Sequence, residues 1–151
     1  MLGMRISRKA EYALRALIAM AREPAGRVHQ IQELSRTENI PVKYLEQILL
    51  ALRNGGLLGS KRGVGGGYTL QKLPAEISVG EVIELLDGPI APIACALERP
   101  KEKCTCPDPA QCELRQFMRG VREQLDVLLF GKTIDDLLTL GRHRLVLAFD
   151  I

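Results

Sequence analysis

The 151-residue sequence predicts a mainly α-helical protein that contains one small β-hairpin. Three observations lead to this prediction. Apolar residues recur at helical spacing in several separate segments, four glycines interrupt two strand-like segments between positions 57 and 70, and a long amphipathic stretch follows a cysteine-bearing loop. Because 46% of the residues are hydrophobic, the chain can bury a core of ordinary size.

Three helices are predicted in the first part of the chain. Ser7 is positioned to cap the first, which follows the 3.6-residue period until residues 23–26 (EPAG) end it. A short second helix is expected within residues 29–39. The third begins at Pro41 and ends at a glycine pair that starts with Gly55, because proline suits a helix start and glycine a helix end.

The later elements follow from turn signals and apolar spacing. In chain order we predict a hairpin with strands at 57–60 and 68–70, a helix capped by Ser78, a cysteine-bearing loop over 95–112, a long helix over 113–130, a short helix over 133–140 and an extended tail over 144–151.

Three short helices followed by a hairpin is the element order of a winged helix-turn-helix, whose second motif helix enters the major groove of DNA. The predicted helix after Pro41 would be that reading helix. Gln pairs with adenine and Glu accepts from cytosine, so the helix carries suitable base-reading groups. The candidate DNA-binding residues on it are Lys43, Tyr44, Glu46 and Gln47.

The glycine-rich segment KRGVGGGYTL would form the wing. Glycine lets a backbone pass close to the sugar-phosphate chain, and Lys61 or Arg62 could then contact a phosphate or a narrow minor groove. Two alternatives remain: a plain hairpin with a mobile tip, and a phosphate-binding nucleotide loop. The nucleotide loop fits less well because this segment leads into a strand rather than a helix.

Charge is distributed unevenly along the chain. Residues 1–72 contain 12 Lys or Arg against 5 Asp or Glu, whereas residues 73–151 contain 9 against 13. The basic first region therefore suits a polyanion such as double-stranded DNA, although an ordinary solvated surface is the alternative. We predict a DNA-binding region over 1–72 and a sensor and dimerisation region over 73–151, packed as one compact unit.

Other function classes find little support. No apolar run is long enough to span a membrane and no cleavage site follows the N-terminal helix, so a cytoplasmic protein is expected. The two histidines, His29 and His143, are interpreted as surface residues. No triad-like motif or paired-carboxylate site stands out, and we predict neither an enzyme nor a small-molecule substrate.

The four cysteines lie within eighteen residues, at Cys95, Cys104, Cys106 and Cys112. Clustered thiols in a cytosolic chain are more often metal ligands than disulfides. Their irregular spacing is unlike the paired motifs of zinc ribbons and favours an iron–sulfur cluster. Zinc binding and a dithiol redox switch remain as alternatives.

These motifs resemble a known family. The segments YLEQ, RGVGGGY and GEVIELLDGP occur in the order and at the spacing of bacterial winged-helix regulators of the IscR, NsrR and CymR type, and the resemblance covers about residues 4–140. It implies a homodimeric transcription regulator that pairs through the helix at 113–130 and binds a roughly palindromic operator. It also implies that Arg62 enters the minor groove.

The resemblance further implies a cluster held by three cysteines. Cys95 and Cys112 match the first and last, while Cys106 is favoured over Cys104 for the middle position. Three thiolates and a fourth ligand suit both cluster types, of which we favour [2Fe-2S] over [4Fe-4S]. The expected signal is iron, redox or nitric oxide state.

The fourth ligand departs from one branch of the family, which has a histidine where this chain has Arg115. A guanidinium stays protonated and cannot bind a metal. The spare cysteine could complete the set within one subunit. Alternatively, Glu11 stands where another branch supplies a carboxylate from the partner subunit; a solvent-facing role is the plain alternative for Glu11.

Overall fold

A computed structural model describes the backbone of residues 5–149 and the side chains of residues 5–142. Within that part of the chain, six α-helices accompany one antiparallel two-stranded sheet, which confirms the predicted fold class. The elements are α1 (Arg8–Ala21), α2 (Ile31–Glu38), α3 (Val42–Asn54), β1 (Leu58–Lys61), β2 (Gly67–Leu70), α4 (Val79–Asp87), α5 (Glu113–Phe130) and α6 (Ile134–Phe149).

Serine side chains set the starts of α1 and α4, as the sequence predicts. Ser7 Oγ accepts a hydrogen bond from the Ala10 amide at 3.0 Å. Ser78 Oγ accepts one from the Glu81 amide at 3.0 Å, and the Glu81 carboxylate accepts one from the Ser78 amide at 3.4 Å. Both caps satisfy amides that a first helical turn leaves unpaired.

The core lies where α1, α3 and α4 meet the base of the hairpin. Three alanines on the inner face of α1 let its backbone lie close to neighbouring helices, whereas α3 contributes larger side chains. Residues on both sides of position 72 share this core. The functional division into a DNA-binding region before that position and a sensor region after it stays a prediction. Its largest members include Leu17, Met20, Leu45, Ile48, Leu49, Leu52, Ile77, Val82 and Ile134.

The hairpin pairs Leu58 with Leu70 at its base and Lys61 with Gly67 near its tip. A third segment extends it, because His29 pairs with Tyr68 through two backbone hydrogen bonds of 2.8 and 2.9 Å. The chain just before α2 therefore holds the wing strand β2 against the helical core.

The α5–α6 turn is tied to the start of α4. The Val79 amide donates to the Lys132 carbonyl at 2.8 Å, and the Ile134 amide donates to the Ile77 carbonyl at 2.9 Å. These bonds fix the direction in which α5 leaves the core and α6 returns to it.

The predicted short last helix followed by an extended tail is wrong. Helix α6 continues from Ile134 to Phe149, and its first turn is capped by reciprocal bonds between Thr133 and Asp136. Leu137 packs against the core, and α6 lies along α1. The strand-like composition of residues 144–149 therefore gave the wrong prediction, and residues 150–151 lie outside the described part. No helix within residues 5–149 is long and apolar enough to cross a membrane.

Candidate DNA interface and cysteine loop

Helix α3 separates a buried face from a polar face. Its buried residues are the apolar stripe predicted from the sequence, and Leu45 and Ile48 are almost completely inaccessible. Lys43, Glu46 and Gln47 are exposed on the opposite side. Three of the four candidate base-reading side chains therefore share one solvent-facing surface.

Tyr44, the fourth candidate, is exposed to 49% and held by α1. Its ring meets the Tyr12 ring edge to face, with the centroids 6.4 Å apart. The guanidinium groups of Arg8 and Arg15 lie 5.9 and 5.4 Å from the Tyr12 centroid. Aromatic and cation–π contacts of this kind orient Tyr44 at the edge of the polar α3 face.

The wing tip exposes both predicted cations, Lys61 and Arg62. Gly63 and Gly65 adopt φ angles of 93° and 73°, which other residues rarely adopt. A Cβ on Gly66 would lie 2.3 Å from the Lys61 carbonyl oxygen. The tight turn itself therefore requires these glycines. The close approach to DNA predicted from the sequence would be a second reason for them.

His29 is buried, so its interpretation as a surface residue is wrong. Only 4% of the residue is exposed, because the backbone pairing with Tyr68 draws it under the wing. Burial, assisted by the positive charge of Arg27, lowers the pKa of His29, and nearby Glu33 and Glu23 oppose the shift. His143 lies outside the residues whose side chains are described.

The four cysteines are unpaired thiols, and all are partly exposed. Cys106 Sγ lies 3.9 Å from Cys112 Sγ, and the Cys106 amide donates to Cys104 Sγ at 3.4 Å. That amide and the Cys106 thiol lower the pKa of Cys104. Cys104 and Cys112 raise the pKa of Cys106 to about 11. A hydrogen bond with the Cys95 thiol also lowers the pKa of Cys104, so all four thiols form one interacting group.

Two arginines of α5 hold the first part of the loop. Arg115 donates from Nε to the Cys95 carbonyl at 3.1 Å and from its terminal nitrogen to the Pro109 carbonyl at 3.2 Å. Arg122, one heptad later, donates to the Ala96 carbonyl at 3.1 Å. The sequence excluded Arg115 as a ligand but did not predict this clamp, whose bonds to Cys95 and Ala96 join residues 20 and 26 positions apart.

The thiols suit an iron–sulfur cluster in chemistry. One pair also has the spacing of two ligands on a single metal atom, either one iron of a [2Fe-2S] cluster or a zinc ion. Two thiolates bound to one tetrahedral metal at about 2.3 Å lie about 3.8 Å apart, close to the 3.9 Å between Cys106 and Cys112. Within the described residues, no three His, Cys, Asp or Glu side chains are grouped to hold a metal ion. Cluster binding would therefore require Cys95 to close on the Cys106–Cys112 pair, and Cys104 as well if it is the fourth ligand.

Glu11 lies on α1 between two arginines. Its carboxylate is 3.1 Å from Arg8 and 3.9 Å from Arg15, and its side chain is 43% exposed. Arg15 also donates to the Glu38 carbonyl at the end of α2. The carboxylate is thus accessible to a second subunit while being held by exposed ion pairs that contribute little stability.

Helix α5 presents an apolar stripe to solvent. Residues at heptad-like spacing, from Leu114 through Phe117 and Val121 to Leu128, lie on one side of the helix, and Phe117 is 67% exposed. Arg115 and Arg122 occupy a different side that faces the loop. The predicted dimerisation helix thus has an apolar surface that this chain leaves uncovered.

Residues 6–140 match the model of the Rrf2 family, described as an iron-dependent transcriptional regulator. A protein of Rhodobacter capsulatus, named as a putative HTH-type transcriptional regulator rrf2-like, is 36% identical over 140 residues, which cover 90% of this chain and 93% of the relative.

Two further relatives are the transcriptional regulators CymR and IscR. CymR of Bacillus subtilis is 34% identical over 134 residues and 89% of each chain. Its solved structure, titled as that of the global cysteine regulator, covers 93% of this chain and 98% of its own with a TM-score of 0.72. IscR of Cronobacter sakazakii is 31% identical over 134 residues, 89% of this chain and 80% of its own. These likenesses confirm the winged helix-turn-helix fold and the prediction of a regulator rather than an enzyme.

Proposed function

Because the chain belongs to the Rrf2 family of transcriptional regulators, which bind DNA and are typically dimeric, we propose that it is a homodimeric sensor of iron, redox or nitric oxide state. The polar face of α3 and the wing bind a roughly palindromic operator. The cysteine loop carries an iron–sulfur cluster whose state controls that binding.

The polar face of α3 is the observation that carries the DNA-binding proposal. Lys43, Glu46 and Gln47 project from one side of a helix whose other side is buried, so the helix is free to enter a major groove. Lys61 and Arg62 extend the positive charge to the wing tip. In this arrangement α3 reads bases and the wing neutralises phosphates.

The apolar stripe of α5 supports dimerisation. Phe117 and Leu128 are 67% and 58% exposed, and pairing of two such stripes would remove them from water. Dimers with two-fold symmetry place two reading helices on two half-sites, which explains why the operator is expected to be roughly palindromic.

For the cluster we propose Cys95, Cys106 and Cys112 as ligands. The family description as iron-dependent and the Cys106–Cys112 spacing support this choice. When bound, the cluster would supply one-electron chemistry and a site that nitric oxide or oxygen can attack. The chain's own contribution is the Arg115 clamp, which keeps Cys95 near the end of the loop that carries Cys112.

Two residues are candidates for the fourth ligand of the cluster. Cys104 contacts the Cys106 amide and lies in the same loop. Glu11 of the partner subunit would instead have to leave Arg8 and Arg15, which are exposed and release it at small cost. If Glu11→Gln changes neither the visible spectrum nor the DNA affinity, the cross-subunit ligand is excluded. Glu23→Gln is the control, because Glu23 lies just after the end of α1 and its side chain is similarly exposed.

A dithiol switch without a cluster is the second candidate. The free Cys106 and Cys112 thiols are close enough that side-chain rotation could bring their sulfurs together. Zinc held by the same thiols is a third form of the sensor and would be colourless.

One preparation tests these candidates together. Protein purified without oxygen is assayed for its absorption spectrum, iron, zinc and acid-labile sulfide. Visible bands with matching iron and sulfide are expected for the cluster. A colourless protein that stays colourless after reconstitution would refute the cluster, and zinc content or loss of two thiols on oxidation would then identify the other forms. DNA binding is measured separately by affinity for selected duplexes as salt is raised.

A further inference from the structure

Leu50 is a fourth residue on the exposed face of α3. It is 43% exposed, whereas Ile48, Leu49 and Leu52 around it are almost completely buried. Isolated exposed leucines are common and need no explanation on their own. The position of Leu50 relative to the candidate base-reading residues is what makes it informative.

The spacing of Lys43, Glu46, Gln47 and Leu50 is i, i+3, i+4 and i+7. At about 100° per residue, Leu50 points within roughly 60° of each of the other three. The homeodomain reads the major groove with four residues of one helix at this same spacing. Leu50 therefore lies on the same face of α3 as Lys43, Glu46 and Gln47, although its side chain is apolar and theirs are polar.

The face spans enough helix to cover several bases. Seven residues at about 1.5 Å each separate Lys43 from Leu50 by roughly 10 Å, which corresponds to about three base pairs at 3.4 Å each. A helix that brings Glu46 and Gln47 to base edges consequently brings Leu50 to the groove beside them.

The major groove offers one apolar group, the C5-methyl of thymine, alongside several hydrogen-bonding groups. Leu50 has no hydrogen-bonding side-chain atom and would leave a polar base edge without a partner. Contact with a methyl group removes apolar surface of both partners from water. We propose, building on the DNA-binding function proposed above, that Leu50 reads a thymine methyl next to the bases read by Glu46 and Gln47.

The test removes the methyl group from the DNA. A random-sequence duplex library is enriched with the wild-type dimer, and the enriched pool is then amplified with either thymine or uracil, which lacks the C5-methyl. Loss of one buried methyl lowers affinity about fourfold, and hence about 15-fold when both half-sites of a dimer are affected. Wild-type protein should bind the uracil pool more weakly by a factor of that order.

Variants assign the effect to Leu50. Leu50→Ala should bind the two pools nearly equally, whereas Leu50→Met, which keeps an apolar side chain of similar reach, should still prefer thymine. Leu85→Ala is the matched control, because Leu85 has a similar exposure of 40% but lies on α4. It should keep the wild-type preference. Thermal melts of each variant establish that it is folded.

The outcomes separate this assignment from the proposed function. If no duplex is enriched, DNA binding fails and Leu50 reads nothing. If duplexes are enriched but wild-type protein binds the thymine and uracil pools equally, DNA binding stands and the role of Leu50 is overturned. A thymine preference that survives in folded Leu50→Ala also overturns it, because the methyl is then read by another residue.

Discussion

Gly67 lies directly against the backbone of His29, and a methyl group there should detach β2 from that segment. A Cβ on Gly67 would lie 2.3 Å from the His29 carbonyl oxygen and 2.8 Å from its carbonyl carbon. Both atoms belong to the backbone, which cannot rotate aside as a flexible side chain does. Gly67→Ala is therefore expected to push β2 away from His29.

The size of the effect follows from the two hydrogen bonds that this displacement would break. His29 and Tyr68 exchange two backbone hydrogen bonds, each of which contributes a net 0.5–1.5 kcal/mol, so breaking both costs about 1–3 kcal/mol. In a chain of 151 residues, 1 kcal/mol lowers the Tm by about 4 °C. We expect the Tm of Gly67→Ala to fall by about 4–12 °C.

Thermal unfolding followed by circular dichroism measures this change, at one fixed protein concentration because dimers melt in a concentration-dependent way. Gly141→Ala is the control, since the same methyl meets nothing within 4 Å on α6, away from the helix proposed to pair with the partner. It should raise the Tm, because glycine inside a helix costs about 0.5–1 kcal/mol relative to alanine. A Gly67→Ala protein that melts with the wild type would refute the reasoning that this bridge anchors the wing.

Three further predictions concern the wing, the loop and the buried histidine. Arg62→Ala should lower the slope of log affinity against log salt by about 0.9 for each phosphate that the guanidinium no longer neutralises; an unchanged slope would remove the wing tip from the interface. Arg115→Ala should speed amide hydrogen exchange over residues 95–112 by roughly tenfold, as expected when hydrogen bonds worth about 1.4 kcal/mol are removed, whereas exposed Arg119→Ala should not; equal exchange in both would argue against the clamp. Because burial lowers the pKa of His29, the folded state binds fewer protons than the unfolded state as the pH falls below about 6.5, and stability should drop there. His29→Gln should flatten that drop in melts between about pH 7.5 and 5.5, and a wild-type-like drop in the variant would assign it to other groups.

Local signals predicted most of the helices. Ser7 and Ser78 cap α1 and α4, and the long α5 runs over the predicted residues, because caps and apolar periodicity act within a few positions of one another. The glycine tip of the hairpin follows equally local rules, since its turn needs positive φ angles whatever the rest of the fold does.

Contacts between distant positions explain what the sequence did not predict. His29 is buried because it pairs with Tyr68, which is 39 positions later in the chain. Helix α6 is anchored where Leu137 packs against the core, and α6 lies along α1, near the other end of the chain. In both cases contacts between distant positions place residues that composition alone does not place.

The α3 face and the cysteine loop also differ in whether local or distant contacts determine them. The polar face of α3 depends on one helix, so the exposure of Glu46 and Gln47 follows from periodicity alone. The cysteine loop instead depends on contacts of Cys95 with α5, twenty positions away, and on a proposed second subunit. Spacing therefore identified the four thiols as a group without predicting that Cys106 and Cys112 would be the close pair.

The position of Arg115 determines where its side chain points, and the guanidinium group determines which bonds it makes in the cysteine loop. Side chains in the first turn of a helix lean toward its N-terminus and cover the chain that precedes it. The third residue after Cys112 is therefore aimed at the cysteine loop regardless of its identity. A histidine there could donate a lone pair to a metal, whereas an arginine can only donate hydrogen bonds. Arg115 accordingly donates hydrogen bonds to the carbonyls of Cys95 and Pro109 and thereby joins the two ends of the loop.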